Sequence, residues 1–383
     1  MSLSRTAAAA TVTAAAAVLG IFLALRLRAR ALSHRTAVLC GDASLLLAAC
    51  PTLASYSPPL LLPISGHAST LFSVFFRASP GLTYSREVVA LPDGGEVALD
   101  LRRPIARGDR VVLLLHGLTG GSHERYLQWQ IRALEAASPA PACVVLNARG
   151  CGGSRLATPL PFSAAWTADV REAVRLLRAR AGAGGSVSAV GWSLGAGILT
   201  KFVCEEGAAG RRDLCAAVAC APSLDFFKSC ARLEGPLARV VYNAPMARAL
   251  HRYLRPHVAL LQKVEGFNEA AALGAPTLRG VDAAAICPLH GFPSVEAYYA
   301  AASTARELKH VGVPLLVLAA RDDPICDIGG LDEGAPMASG HVSAVVTAEG
   351  GHVAWPLGGW LPSREHSWEN AAVVEWLRHV GAI

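Results

Sequence analysis

Near the middle of the chain one serine stands between two glycines, in Gly191-Trp192-Ser193-Leu194-Gly195. The apolar run VSAV (187–190) precedes it and AGILTKFV follows. A strand, then G-x-S-x-G, then a helix is the setting that holds a serine on a strained turn, its hydroxyl above the sheet edge. Gly191 and Gly195 fit there because strand and helix approach too closely for side chains at either position. A serine hydroxyl is a weak nucleophile until a neighbouring base takes its proton, and that base needs an orienting acid. In this setting the chain order is serine, acid, histidine, the acid following a late strand and the histidine the last one.

Two short segments supply the partners. PLLVLAA (314–320) leads into RDDPIC, and SAVVT (343–347) leads into AEGGHVAWP. Asp323 and His352 therefore arrive in the required order at the required strand ends. The adjacent Asp322 is the alternative acid; Asp323 is preferred because the x-Ile after it turns its carboxylate back toward the histidine loop. His341 and His366 are the alternatives to His352, which Gly350 and Gly351 set apart by freeing the backbone after the last strand. A fourth part comes from VVLLL-HGLTGGS, a glycine-rich turn after an early strand. The backbone N–H groups of Leu118 and Leu194 are the expected donors to an oxyanion. His116 reads as a brace for that turn rather than as a base.

Positioning these groups requires a sheet. Apolar runs without alternation, at 111–115, 143–146, 187–190, 216–220, 314–320 and 343–347, suit strands buried on both faces of a mainly parallel sheet. SREVVAL and EVALDL around PDGG predict a hairpin. Helical stretches alternate with the strands. AAWTADVREAVRLLRARAG carries Val170, Val174 and Leu177 on one stripe with Arg171, Arg175 and Arg178 opposite, and the closing helix begins at a Ser367 cap. The fold class is α/β, with helices on both faces of the sheet. Residues 222–312 break the alternation and read as a helical lid over the strand ends. The expected organisation is an N-terminal anchor and basic flank (1–41), a pre-domain segment packed on the core (42–82), and a catalytic domain (83–383).

Composition excludes other classes. The net charge is +6, but five arginines and no acidic residue lie within residues 1–41, so the rest is close to neutral and offers no nucleic-acid footprint. Ten cysteines are scattered singly, without C-x-x-C, zinc-type C/H spacing or H-E-x-x-H; they read as reduced buried thiols, and no metal or cofactor is expected. Residues 6–25 are uncharged and match a bilayer core in length. The preferred reading is a retained single-pass anchor in an endoplasmic-reticulum-like membrane. An organelle transit peptide is the rival, and RLRAR after the span suits signal-peptide cleavage poorly. Arginines following the span favour a cytosolic C-terminal domain.

HGLTGGSHERYLQ, NARGCGGS, GWSLGAGILTKFV, GFPSVEAYYAAAS, DDP and GGHVAWP resemble the α/β-hydrolase-domain family of bacterial YheT and its membrane-anchored animal and plant relatives; SGHASTLF (65–72) resembles that family's pre-domain region. The resemblance spans roughly residues 45–380 of the chain. It implies an α/β-hydrolase fold and a serine hydrolase of carboxylic esters, with phospholipids, acylglycerols and short- or medium-chain acyl esters as substrates and no obligate protein partner. Its catalytic residues fall on Ser193, Asp323 and His352. No histidine has an aspartate five residues on, so the H-x4-D acyltransferase motif of a related group is missing. Epoxide or haloalkane hydrolysis needs a carboxylate at the elbow, which Ser193 argues against. A catalytically silent binding protein is the alternative from another class.

Overall fold

Buried on both faces, the apolar runs form the centre of one sheet. In the computed structural model, which describes residues 13–27, 36–39, 43–62, 65–332 and 339–383, nine strands lie in one sheet. They are β1 (Ala37–Leu39), β2 (Ser85–Ala90), β3 (Glu96–Leu101), β4 (Arg110–Leu115), β5 (Ala142–Asn147), β6 (Ser186–Trp192), β7 (Ala216–Cys220), β8 (Leu315–Ala320) and β9 (Val342–Thr347). Their spatial order is β1-β9-β8-β7-β6-β4-β5-β3-β2. The strands from β4 to β9 are mutually parallel, and β1, β2 and β3 pair antiparallel at the two edges. This is an α/β-hydrolase arrangement. The edge strand β1 was not foreseen, because three residues carry too little pattern to mark a strand.

Alternation along β4 builds the two cores. Val111, Leu113 and Leu115 pack with Val170, Val174 and Leu177 of α3 (Ala168–Ala181) and with Leu199 and Val203 of α4 (Leu194–Glu206). Val112 and Leu114 face the other way, onto Leu127 and Ile131 of α2 (Arg125–Glu135) and Val373 and Trp376 of α8 (Trp368–His379). Ser367 and Asn370 close α8 with a reciprocal capping box, which satisfies two donors left open at the helix start.

Two additions to this sandwich reach the site. Before β2, helix α1 (Gly66–Phe76) lies over the end of the sheet. Between β7 and β8 the chain forms a run of short helices that includes α5 (Phe226–Leu233), α6 (Ala244–Leu254) and α7 (Val295–Ala302). Of the expected anchor at 6–25, residues 6–12 lie outside the described residues, and residues 13–27 are helical. Among the described residues, no helix is long and apolar enough to cross a membrane. The Arg26 side chain near the end of that helix is buried, donating to the carbonyl oxygens of Pro59 (2.8 Å) and Leu60.

Candidate active site

Ser193 sits between β6 and α4 with φ +53° and ψ −120°. A residue other than glycine is seldom found at such a φ and holds it only where its surroundings enforce it. The glycines explain how. A Cβ on Gly191 would lie 2.6 Å from the Gly195 carbonyl oxygen, and a Cβ on Gly195 would strike the main chain of His116 and Leu115. The turn can be this tight only with both side chains absent.

The hydroxyl reaches across to the loop after β9. His352 Nε2 is 2.8 Å from Ser193 Oγ, and His352 Nδ1 is 2.8 Å from Asp323 Oδ2. In the neutral imidazole the serine O–H donates to Nε2 and Nδ1–H donates to the carboxylate. Asp323 is fixed by its second oxygen, which accepts the N–H groups of Ile325 (2.8 Å) and Cys326 (2.9 Å). Burial opposes charge on His352, but the adjoining Asp323 carboxylate and Cys326 together outweigh it and hold the imidazole pKa well above its ordinary 6.5.

The alternatives lie elsewhere. Asp322 accepts the Gly351 N–H at 2.9 Å and so supports the histidine loop; burial pushes its carboxyl up to about 6. His341 accepts a hydrogen bond from Arg211 at the surface, and His366 meets Trp129 edge-on. His116 is a buried brace: Nδ1 donates to Gly117 O (2.7 Å) and Nε2 accepts from Ala148 N–H (3.1 Å), while burial lowers its pKa to about 4 and keeps it neutral. Leu118 and Leu194 flank Ser193 in one cavity. The Leu194 N–H, first in α4, has no acceptor within its own helix.

Sequence reasoning missed Thr70. Its hydroxyl donates to Gly66 O (2.7 Å) and accepts the backbone N–H of His352 (2.8 Å), so α1 holds the histidine loop from outside the sheet. The signal was present in SGHASTLF but carried no motif for this contact. At the end of α1, Arg77 is buried, donates to Ala354 O (2.6 Å) and lies 3.7 Å from the buried Glu369. Through His67, which bonds the Tyr242 hydroxyl at 2.9 Å, the same helix also touches the insertion.

Two cavities meet at Ser193. One runs beneath the insertion and is lined by Phe162, Phe226, Leu250, Leu278 and Ile286 together with the polar Asp282, Arg279 and Tyr299. Tyr299 donates to Asp282 at 2.9 Å, and burial raises the Asp282 carboxyl to about 7. The other is an open groove bounded by Val74 and Phe75 of α1, by His123, Glu124 and Arg125, and by Pro245 and Ala249 of α6. Ser193, Leu118, Met246 and Ile325 border both.

Comparison with known proteins agrees with this architecture. Residues 112–359 match the profile of the alpha/beta hydrolase family. The chain belongs to that family. Among relatives, embryogenesis-associated protein EMB8 of Picea glauca is 33% identical over 81% of this chain and 69% of its own length. Monoacylglycerol lipase of Saccharomyces cerevisiae is 27% identical over 77% of this chain and 75% of its own. Phospholipase ABHD3 of Mus musculus is 28% identical over 81% and 76%. With this fold and relatives named lipase and phospholipase over most of its length, this alpha/beta hydrolase is a carboxylic ester hydrolase.

Proposed function

We propose that this chain is a serine hydrolase of lipid esters, working through Ser193, His352 and Asp323. The observation that carries the reading is the unbroken hydrogen-bond chain Ser193–His352–Asp323, at 2.8 Å for each link, at the junction of an apolar cavity and an open groove. His352 Nε2 takes the hydroxyl proton as Ser193 Oγ attacks the acyl carbonyl; Asp323 keeps Nδ1–H in place and stabilises the imidazolium. The oxyanion accepts hydrogen bonds from the N–H groups of Leu118 and Leu194. The imidazolium then protonates the departing alcohol, leaving an acyl ester on Ser193, and water activated by His352 releases the acid.

The acyl chain occupies the apolar cavity, and the alcohol leaves by the groove. Relatives named phospholipase and monoacylglycerol lipase support a lipid substrate. The uncharged stretch 6–25 anchors the enzyme to a membrane, where such esters reside. A fluorophosphonate probe tests the core of the proposal. It labels Ser193 in the native chain and not in Ser193→Ala, and that variant loses ester turnover while keeping its fold. A native chain that stays unlabelled and turns over no ester overturns this reading in favour of a non-catalytic binding protein, and a Ser193→Ala variant that still turns over ester removes Ser193 from the mechanism.

A further inference from the structure

The turn that fixes Asp323 also brings in a donor the hydrolytic cycle does not use. Because Asp323 Oδ1 accepts the N–H groups of both Ile325 and Cys326, the chain curls back and sets the Cys326 thiol beside the acid and the histidine. The Cys326 sulfur, a ring nitrogen of His352 and a carboxylate oxygen of Asp323 all lie within 4.8 Å of one another. Among the described residues, this is the one group of three histidine, cysteine or acidic side chains so close. Cys326 carries no disulfide and lines the inner cavity, while His352 lines the groove, and both spaces border Ser193.

We propose that Asp323, Cys326 and His352 form an inhibitory site for a thiophilic divalent cation, of which Zn2+ and Cd2+ are the type. One sulfur, one imidazole nitrogen and one carboxylate oxygen, with a fourth position open toward the cavity, make up a donor set that suits a tetrahedral soft ion. Magnesium and calcium, which take oxygen ligands in larger number, find only one such side chain here. Charge favours the same ion. On binding, the thiol and, where it is protonated, the imidazolium release their protons to solvent, so the cation's two charges meet one thiolate, one carboxylate and a neutral imidazole and the bound group is neutral overall. Neutrality matters in a cavity walled by apolar side chains, where an unbalanced ion is costly to desolvate.

Occupancy removes the base whichever ring nitrogen is bound. A cation on Nε2 takes the lone pair that would accept the Ser193 proton. A cation on Nδ1 displaces the ring proton to Nε2, with the same result. The loss of activity therefore rests on the proposed role of His352, whereas the binding itself does not.

The test uses the full chain, freed of metal and kept in a non-thiol reductant. Hydrolysis of a soluble nitrophenyl ester is titrated with Zn2+, Cd2+, Mg2+ and Ca2+ in the native protein, Cys326→Ala and Cys326→Ser, each scaled to its own metal-free rate. In parallel, alkylation of Cys326 in the native chain is timed by peptide mass spectrometry with and without Zn2+. Expected are chelator-reversible inhibition by Zn2+ and Cd2+ only, a half-inhibitory concentration raised at least about tenfold in both variants, and slowed alkylation of Cys326. Equal sensitivity of native and variant proteins, or equal inhibition by Mg2+, overturns the proposal. Where the variants are inactive, alkylation decides: an unchanged rate at Cys326 in Zn2+ overturns it. A chain without esterase activity but with Zn2+-protected Cys326 retains the site and refutes the hydrolase reading instead.

Discussion

The two cavities that converge on Ser193 differ in what surrounds them. The inner one is walled largely by the insertion between β7 and β8, and its lining is mostly apolar, with Asp282, Arg279 and Tyr299 among its polar members. The outer one is a groove with polar residues on one rim, at His123, Glu124 and Arg125, and the exposed Val74 and Phe75 of α1 on another. An alkyl chain gains free energy from each methylene it buries in the first, whereas a polar alcohol keeps its hydration in the second. Under the proposed mechanism the contrast would divide a lipid ester at its carbonyl, one half to each side of Ser193.

Replacing the proposed shared base is the harshest test of that division. His352→Ala should lower kcat by about 10^4-fold or more, equally for acetyl and long-chain esters; survival of either class would mean that the cavities do not share one centre. Filling the inner cavity should separate the classes. Leu278→Trp is expected to reduce kcat/KM for long acyl chains by roughly 10–100-fold while acetyl ester turnover stays within about threefold, the latter also reporting an intact fold. Uniform loss over a chain-length series would place the acyl group elsewhere.

Acid should act on both halves alike. As the proposed base, His352 works only when neutral, and Asp323 with Cys326 holds its pKa well above 6.5, so kcat/KM should fall as pH drops through that raised value, about tenfold per unit beyond it. An acid limb centred at or below 6.5 would contradict the Asp323–His352 coupling. The smallest change belongs to the groove rim: Phe75→Asp should raise KM for a dispersed lipid ester about threefold and leave a soluble acetyl ester unaffected. Equal effects on the two would assign Phe75 to folding rather than to the groove.

Much of the sheet could be read directly, because continuous apolar runs are what strands buried on both faces require, and G-x-S-x-G, DDP and GGH mark three of their ends. The geometry joins Ser193, His352 and Asp323, the residues that chain order selects. What stayed hidden depends on contacts across long sequence separations. Thr70 has no motif that ties it to His352, and Cys326 looked like any scattered thiol until a turn at Asp323 folded it back. Asp282 and Tyr299 are ordinary helix residues until the insertion closes them over the cavity. The division between Asp322 and Asp323 was readable in part: one carboxylate supports the loop and the other contacts the imidazole, and only the direction of the chain after β8 separates them.

The hydroxyl of Thr70 and the amide of His352 it receives are separated by 282 positions along the chain. An excised fragment beginning at β2 would contain every reacting atom and still lack the peg that keeps the imidazole loop in register. During synthesis the helix bearing that peg leaves the ribosome long before its mate exists, so this contact can close only after residue 352 has emerged.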